Sequence, residues 1–188
     1  MSKPQRAFHS ILAVPLALAA ACADLAAAES AAAPEVRAWR QANERAILDE
    51  FTRLLAIPNV ATDRDDIRRN AEVLVEMMQK RGLKPRLLEV DDPDAPPAIY
   101  GEWLVPGATR TLVLYAHYDG QPVTPSDWAS DPWTPTWRDG ALGGDARVVD
   151  LPAGGPIDPK WRVYGRGASD DKAGVMAILA AADALKAA

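Results

Sequence analysis

With 188 residues and a formal net charge of -5, the chain is long enough for one domain with a sizeable core and short for two. Hydrophobic residues make up 48% and charged residues 25%, which argues against wholesale disorder. The acidic balance leaves no basic surface to attract phosphates, so a nucleic-acid partner is not expected.

Residues 1–28 have the order of a secretory signal peptide. Lys3 and Arg6 are basic, Ile11 to Ala21 is an apolar run, and small residues continue through Ala28, which predicts an exported protein, periplasmic or secreted. Crossing a membrane takes about 20 apolar residues, so no stable span is expected. Cleavage fits after Ala23 or after Ala28. Two alternatives stay open: a lipoprotein signal acylated at Cys22, because Leu18-Ala19-Ala20-Ala21-Cys22 faintly resembles a lipobox, and an uncleaved anchor. Cys22 is the only cysteine, so no disulfide is expected. His9 lies in the same segment, which leaves His117 as the only histidine of the mature chain.

From Pro34 to Ala56 the spacing of Ile47, Phe51, Leu54 and Leu55 at i, i+4, i+7 and i+8 predicts a helix, ended by Pro58. A second is predicted over Asp63 to Lys80, with Thr62 as N-cap, Ile67, Ala71, Leu74 and Met78 on one face and Gly82 just past the end. The charged run Arg64 to Arg69 reads as a solvated face. Strands are predicted over Pro85 to Val90, Ala98 to Val105 and Arg110 to His117. The loop Asp91-Asp92-Pro93-Asp94 lacks the glycine and distal glutamate of a calcium loop and reads as an exposed turn. Helix, helix, three strands and a final helix predict an α/β fold, with helices packed on a mixed, mostly parallel sheet.

The third strand carries chemistry. The apolar run from Thr111 ends at His117, Asp119 follows two residues on, and Gly120 and Pro122 break the strand. Residues two apart on a strand point to one side, so imidazole and carboxylate emerge together at the end where α/β sheets usually bind ligands. A metal is the natural candidate; a polar strand-end pair is the simpler alternative.

Between Gln121 and Arg162 the pattern dissolves into proline, glycine, aspartate and tryptophan. Trp128, Trp133, Trp137 and Trp161 argue against disorder there, and anchoring of the loop onto the sheet is preferred over a substrate rim. Short strands are expected near 134–138, 146–149 and 161–164. A glycine turn then leads to Asp170 and Asp171 at a helix start. Carboxylates there are favoured by the helix dipole and suit a metal ligand; plain capping by Ser169 or Asp170 is the alternative.

Taken in order, Tyr115-Ala-His-Tyr-Asp-Gly-Gln-Pro122 and Gly165-Arg-Gly-Ala-Ser-Asp-Asp-Lys172 make the chain resemble the dinuclear zinc metallopeptidase and deacylase family of carnosine dipeptidase, aminoacylase, glutamate carboxypeptidase and succinyl-diaminopimelate desuccinylase. The resemblance implies a zinc-exopeptidase-like sandwich, incomplete here. It implies that His117 binds one metal, that Asp119 orients His117 and serves catalysis, and that Asp170 bridges two zinc ions, with cobalt or manganese as substitutes. Asp171 and Lys172 are implied to begin the following helix and not to be ligands. Two such ions polarise a scissile carbonyl and acidify a bridging water, with a glutamate as general base.

That glutamate, a further acidic ligand, a second histidine and a lid or dimerisation domain have no counterpart in these 188 residues. Residues 29–188 are therefore expected to be the amino-terminal part of a catalytic domain, inactive alone, whose parent gene continues past Ala188 and whose parent enzyme can be a homodimer. The form of the first motif looks most like the carnosine-dipeptidase branch and implies short peptides as substrates, with N-acyl amino acids as the alternative. A non-catalytic exported metal- or peptide-binding module is the competing class.

Overall fold

The computed structural model describes residues 33–92 and 95–188. The expected signal peptide, with His9 and Cys22, lies outside the described residues, as do Pro93 and Asp94 of the acidic loop.

Helix α1, Ala33–Leu55, buries Phe51, Leu54 and Leu55 on the predicted face, with Ile47 packed beside them. Helix α2, Arg64–Lys80, buries Ile67, Ala71, Leu74 and Met77. Its cap is Asp63 rather than the expected Thr62: the Asp63 carboxylate accepts from the Asp66 N–H at 3.1 Å. Starting the helix one residue later puts Asp63 in the half-helical position where a short side chain reaches the free N–H groups. Gly82 follows with φ of 66°, a left-handed conformation that glycine adopts without penalty. Helix α3, Lys172–Ala187, contributes Met176 and Leu179.

The three helices meet on one core of Phe51, Leu54, Leu55, Leu74, Met77, Met176 and Leu179. Arg81, just past α2, ties them together at the rim. Its guanidinium donates to Glu50 of α1 at 3.2 Å and to Asp183 of α3 at 2.8 Å, satisfying a cation that is largely buried.

The strands are short and form two antiparallel ribbons. Strands β1, Arg86–Leu88, and β2, Ala98–Tyr100, pair with Leu87 opposite Ile99. Strands β3, Thr136–Arg138, and β4, Arg162–Tyr164, pair with Trp137 opposite Val163; Val148 bridges to Arg138 at the edge. These match two of the expected strands and two of the three short ones of the tryptophan-rich region; the third, near 146–149, is reduced to the single Val148 bridge. Trp137 donates its indole N–H to Thr52 of α1 at 3.2 Å, so this residue ties the region to a helix rather than to the expected sheet.

The expected mixed, mostly parallel sheet is not formed among the described residues. The segment predicted as a strand over 110–117 pairs with no other strand there, and Leu112, Val113 and Tyr115 stand 78%, 83% and 85% exposed. A run apolar on both faces needs partners on both sides, and the two ribbons supply neither. Parallel pairing among the described residues is limited to a single bridge, Val60 to Gly120. The architecture is thus α/β at the level of its layers. No helix among the described residues is long and apolar enough to cross a membrane.

Candidate metal centre

The chain reaches the site along residues 116–120. Tyr118 turns inward against the core and its hydroxyl donates to the Pro97 carbonyl. Burial, with the nearby Asp119 charge, pushes its pKa up to about 12. Alternation along the chain then puts His117 and Asp119 on the opposite side. The Asn59 amide donates to the Tyr118 carbonyl at 2.7 Å, and the Gly120 N–H donates to the Asn59 carbonyl at 2.6 Å. A side chain at Gly120 would stand 3.1 Å from the Asn59 amide oxygen and 3.2 Å from the Arg166 guanidinium. Both contacts are tighter than ordinary packing, so a larger residue would push the Asn59 and Arg166 side chains back by a few tenths of an ångström.

The second half is the turn after β4. Arg166 N–H donates to the Pro132 carbonyl at 2.7 Å and Lys172 N–H to the Gly167 carbonyl at 3.1 Å, with Gly167 at φ of 78°. Lys172 is fully buried. Its Nζ donates to the Leu54 and Ile57 carbonyls at 2.9 and 2.7 Å at the carboxy end of α1. Burial drives its pKa down to about 7, against a weaker pull from Asp66. The lysine therefore binds the turn to the end of α1.

These supports bring the two motifs together across 53 residues. His117 Nε2 lies 2.8 Å from Asp170 Oδ1, and His117 Nδ1 lies 3.1 Å from Asp119 Oδ1. Burial pulls the imidazole down, but the hydrogen bonds to Asp170 and then Asp119 outweigh it, and its pKa lies above the usual 6.5. Asp170 has a side chain 72% exposed, so its second oxygen faces solvent. The simpler reading of Asp170 or Ser169 as a helix cap does not describe this turn: Asp171 occupies the cap position, and its side chain makes no capping bond.

The donor types fit zinc. Zn–N and Zn–O bonds of about 2.1 Å in a tetrahedral site separate two donors by roughly 3.4 Å, so Nε2 and Oδ1 need open by only about half an ångström to share an ion. The donor count falls short, because among the described residues no group of three or more His, Cys, Asp or Glu side chains is arranged to hold a metal.

No family model matches the chain. It is 32% identical over 139 residues to the succinyl-diaminopimelate desuccinylase of Stenotrophomonas maltophilia (strain K279a), covering 73% of this chain and 29% of that protein. It is 28% identical over 153 residues to the Cys-Gly metallodipeptidase dug1 of Schizosaccharomyces pombe, covering 73% and 28%. The chain belongs to the metallopeptidase and deacylase family of these proteins. It spans under a third of the length of these curated relatives. Its fold superposes on the dipeptidase Dug1p of Saccharomyces cerevisiae with a TM-score of 0.62 at 18% identity, and on human carnosine dipeptidase 1 with 0.60 at 21%, each over 82% of this chain and 31% of that one.

Three residues of the chain escaped sequence reasoning as parts of the site: Asn59, Asp171 and Lys172. Asn59 follows the helix-stopping Pro58 and belongs to neither motif. Asp171 and Lys172 read as the start of a helix. No signal in the sequence marks them, because the burial of an amide or an amine, which implies a fixed partner, shows only in the fold.

Proposed function

We propose that the chain carries part of the dinuclear zinc centre of an enzyme that hydrolyses a peptide or amide bond in short peptides. The observation that supports this best is the convergence of His117 and Asp170 at 2.8 Å with Asp119 behind the imidazole. A carboxylate on Nδ1 fixes the tautomer that presents Nε2 to a metal and makes that nitrogen a better donor. Asp170, with two oxygens and one facing solvent, suits a bridging position. Bound there, zinc would act as a Lewis acid toward the scissile carbonyl and would acidify water. The remaining donors, and the general base, come from beyond the described residues. Partner strands for 110–117 are assigned there too, completing a mostly parallel sheet.

Equilibrium dialysis of the purified chain with zinc tests the ligand assignment. We expect binding weaker than that of a closed four-donor site, lost in both His117→Ala and Asp170→Ala, and weakened about 10-fold or more in Asp119→Asn. Zinc binding undiminished in both alanine variants would overturn the assignment. The desuccinylase relative supports a second reading, hydrolysis of N-acyl amino acids. Parallel assays with dipeptides and N-succinyl amino acids on the enzyme that carries these residues separate the two. Export is proposed on the composition of residues 1–28 alone, and amino-terminal sequencing of the protein recovered from its cells tests it.

A further inference from the structure

The carboxylate of Asp171 stands at the amino end of α3 yet makes no hydrogen bond to that end. Its Oδ2 accepts from the backbone N–H of His117 at 3.3 Å instead. Gly174, at the third helical position, is what allows this. A Cβ there would stand 2.3 Å from Asp171 Oδ1 and 2.9 Å from the carboxylate carbon, nearer than real contacts come. Glycine inside a helix is otherwise unfavourable relative to alanine. An unfavourable residue and a carboxylate turned away from its own helix thus occupy one place.

We propose that Asp171 is a positioning residue, fixing the backbone of His117 against the turn that carries Asp170, and that Gly174 provides the space it needs. The proposal rests on His117 and Asp170 being metal ligands. Asp171 directly follows Asp170 in the chain, so its bond to the His117 N–H couples the backbone of one ligand residue to the neighbour of the other. The other supports restrain different freedoms. Asp119 sets the orientation of the imidazole ring, and Asn59 holds the Tyr118 carbonyl. Asp171 holds the peptide on the amino side of His117. A carboxylate is the stronger acceptor for that task, because a hydrogen bond to an ionised group is roughly twice as strong as a neutral one.

A double-mutant cycle on the full chain tests this with Asp171→Ala, Gly174→Ala, the double variant and Asp171→Asn. The measurements are the thermal midpoint, hydrogen exchange of the His117 amide and affinity for cobalt(II). Alone, Gly174→Ala lowers the midpoint, speeds His117 exchange and weakens cobalt binding about 10-fold, the size expected of a lost support. In the Asp171→Ala background the same substitution raises the midpoint, because the collision is gone and the helix preference of alanine remains. Asp171→Asn, whose amide oxygen still accepts, keeps exchange slow and cobalt bound, whereas Asp171→Ala does neither. Additive effects of the two alanine substitutions overturn the proposal, as does unchanged His117 exchange in Asp171→Ala. Cobalt binding by the unsubstituted chain with equal affinity in Asp171→Ala overturns the proposal alone. No binding by the unsubstituted chain overturns the metal reading first, and the proposal with it.

Discussion

Leu54, Leu55 and Leu179, on α1 and α3, are 1% exposed or less, whereas Leu112, Val113 and Tyr115, in an equally apolar run, are 78% exposed or more. The first set finds its partners inside residues 33–188, because helix faces at 3.6-residue spacing close on one another in a three-helix core. The second set is strand-like and requires backbone partners on two sides as well as cover on two faces. An apolar sequence says that surface wants to be buried. It does not say whether the burying partner lies within reach.

The comparison is broken most severely from the core side. Leu54→Ala removes a fully enclosed side chain at the junction of all three helices, where little can collapse to refill the space. We expect a loss of about 2–5 kcal/mol in urea unfolding. Loss below about 1 kcal/mol would mean that the core packs no better than the exposed run.

Lys172 sharpens the comparison, because it places a titratable group inside the closed region. Its amine titrates at 10.5 when unperturbed and near 7 in the fold. Between those pH values the unfolded chain holds a proton that the folded chain lacks, so stability rises with pH across that window, by up to about 1.4 kcal/mol per pH unit. Below about pH 7 both states are protonated and this contribution is flat. In Lys172→Met the slope between pH 7 and 10 is expected to disappear, measured as the difference in urea unfolding between the two proteins. Equal slopes would show that the ammonium stays charged on the Leu54 and Ile57 carbonyls.

What could be read in the chain beforehand follows the same division. The helices were legible because Ile47, Phe51, Leu54 and Leu55, and Ile67, Ala71 and Leu74, repeat on one face, a property of local sequence alone. The run before His117 was legible as strand-like, but its pairing depends on partners that local pattern does not contain. At the candidate site, the shared side of His117 and Asp119 followed from the two-residue period. Their approach to Asp170 followed only from family resemblance, since no spacing rule links residues 53 apart. Asn59 and Lys172 were not legible, because their roles depend on carbonyls exposed at turns and a helix end. Asp171 begins the final helix as the resemblance implies, but its bond to the His117 N–H was not legible, because it joins residues 54 apart.

The smallest expected change in stability comes from the open side. Val113→Lys alters a residue 83% exposed with no core contact to lose, so the unfolding free energy should stay within about 0.5 kcal/mol of the parent value. Association is a separate matter. An apolar run with unpaired N–H and C=O groups is a template for strand addition between copies, and a lysine in its middle opposes that pairing by charge and by the cost of desolvating the ammonium. Light scattering against concentration should therefore show less association in Val113→Lys than in the parent at equal stability. A large loss of stability would mean that residues 112–115 already pack within this chain, and the contrast between a closed core and an open strand would fail.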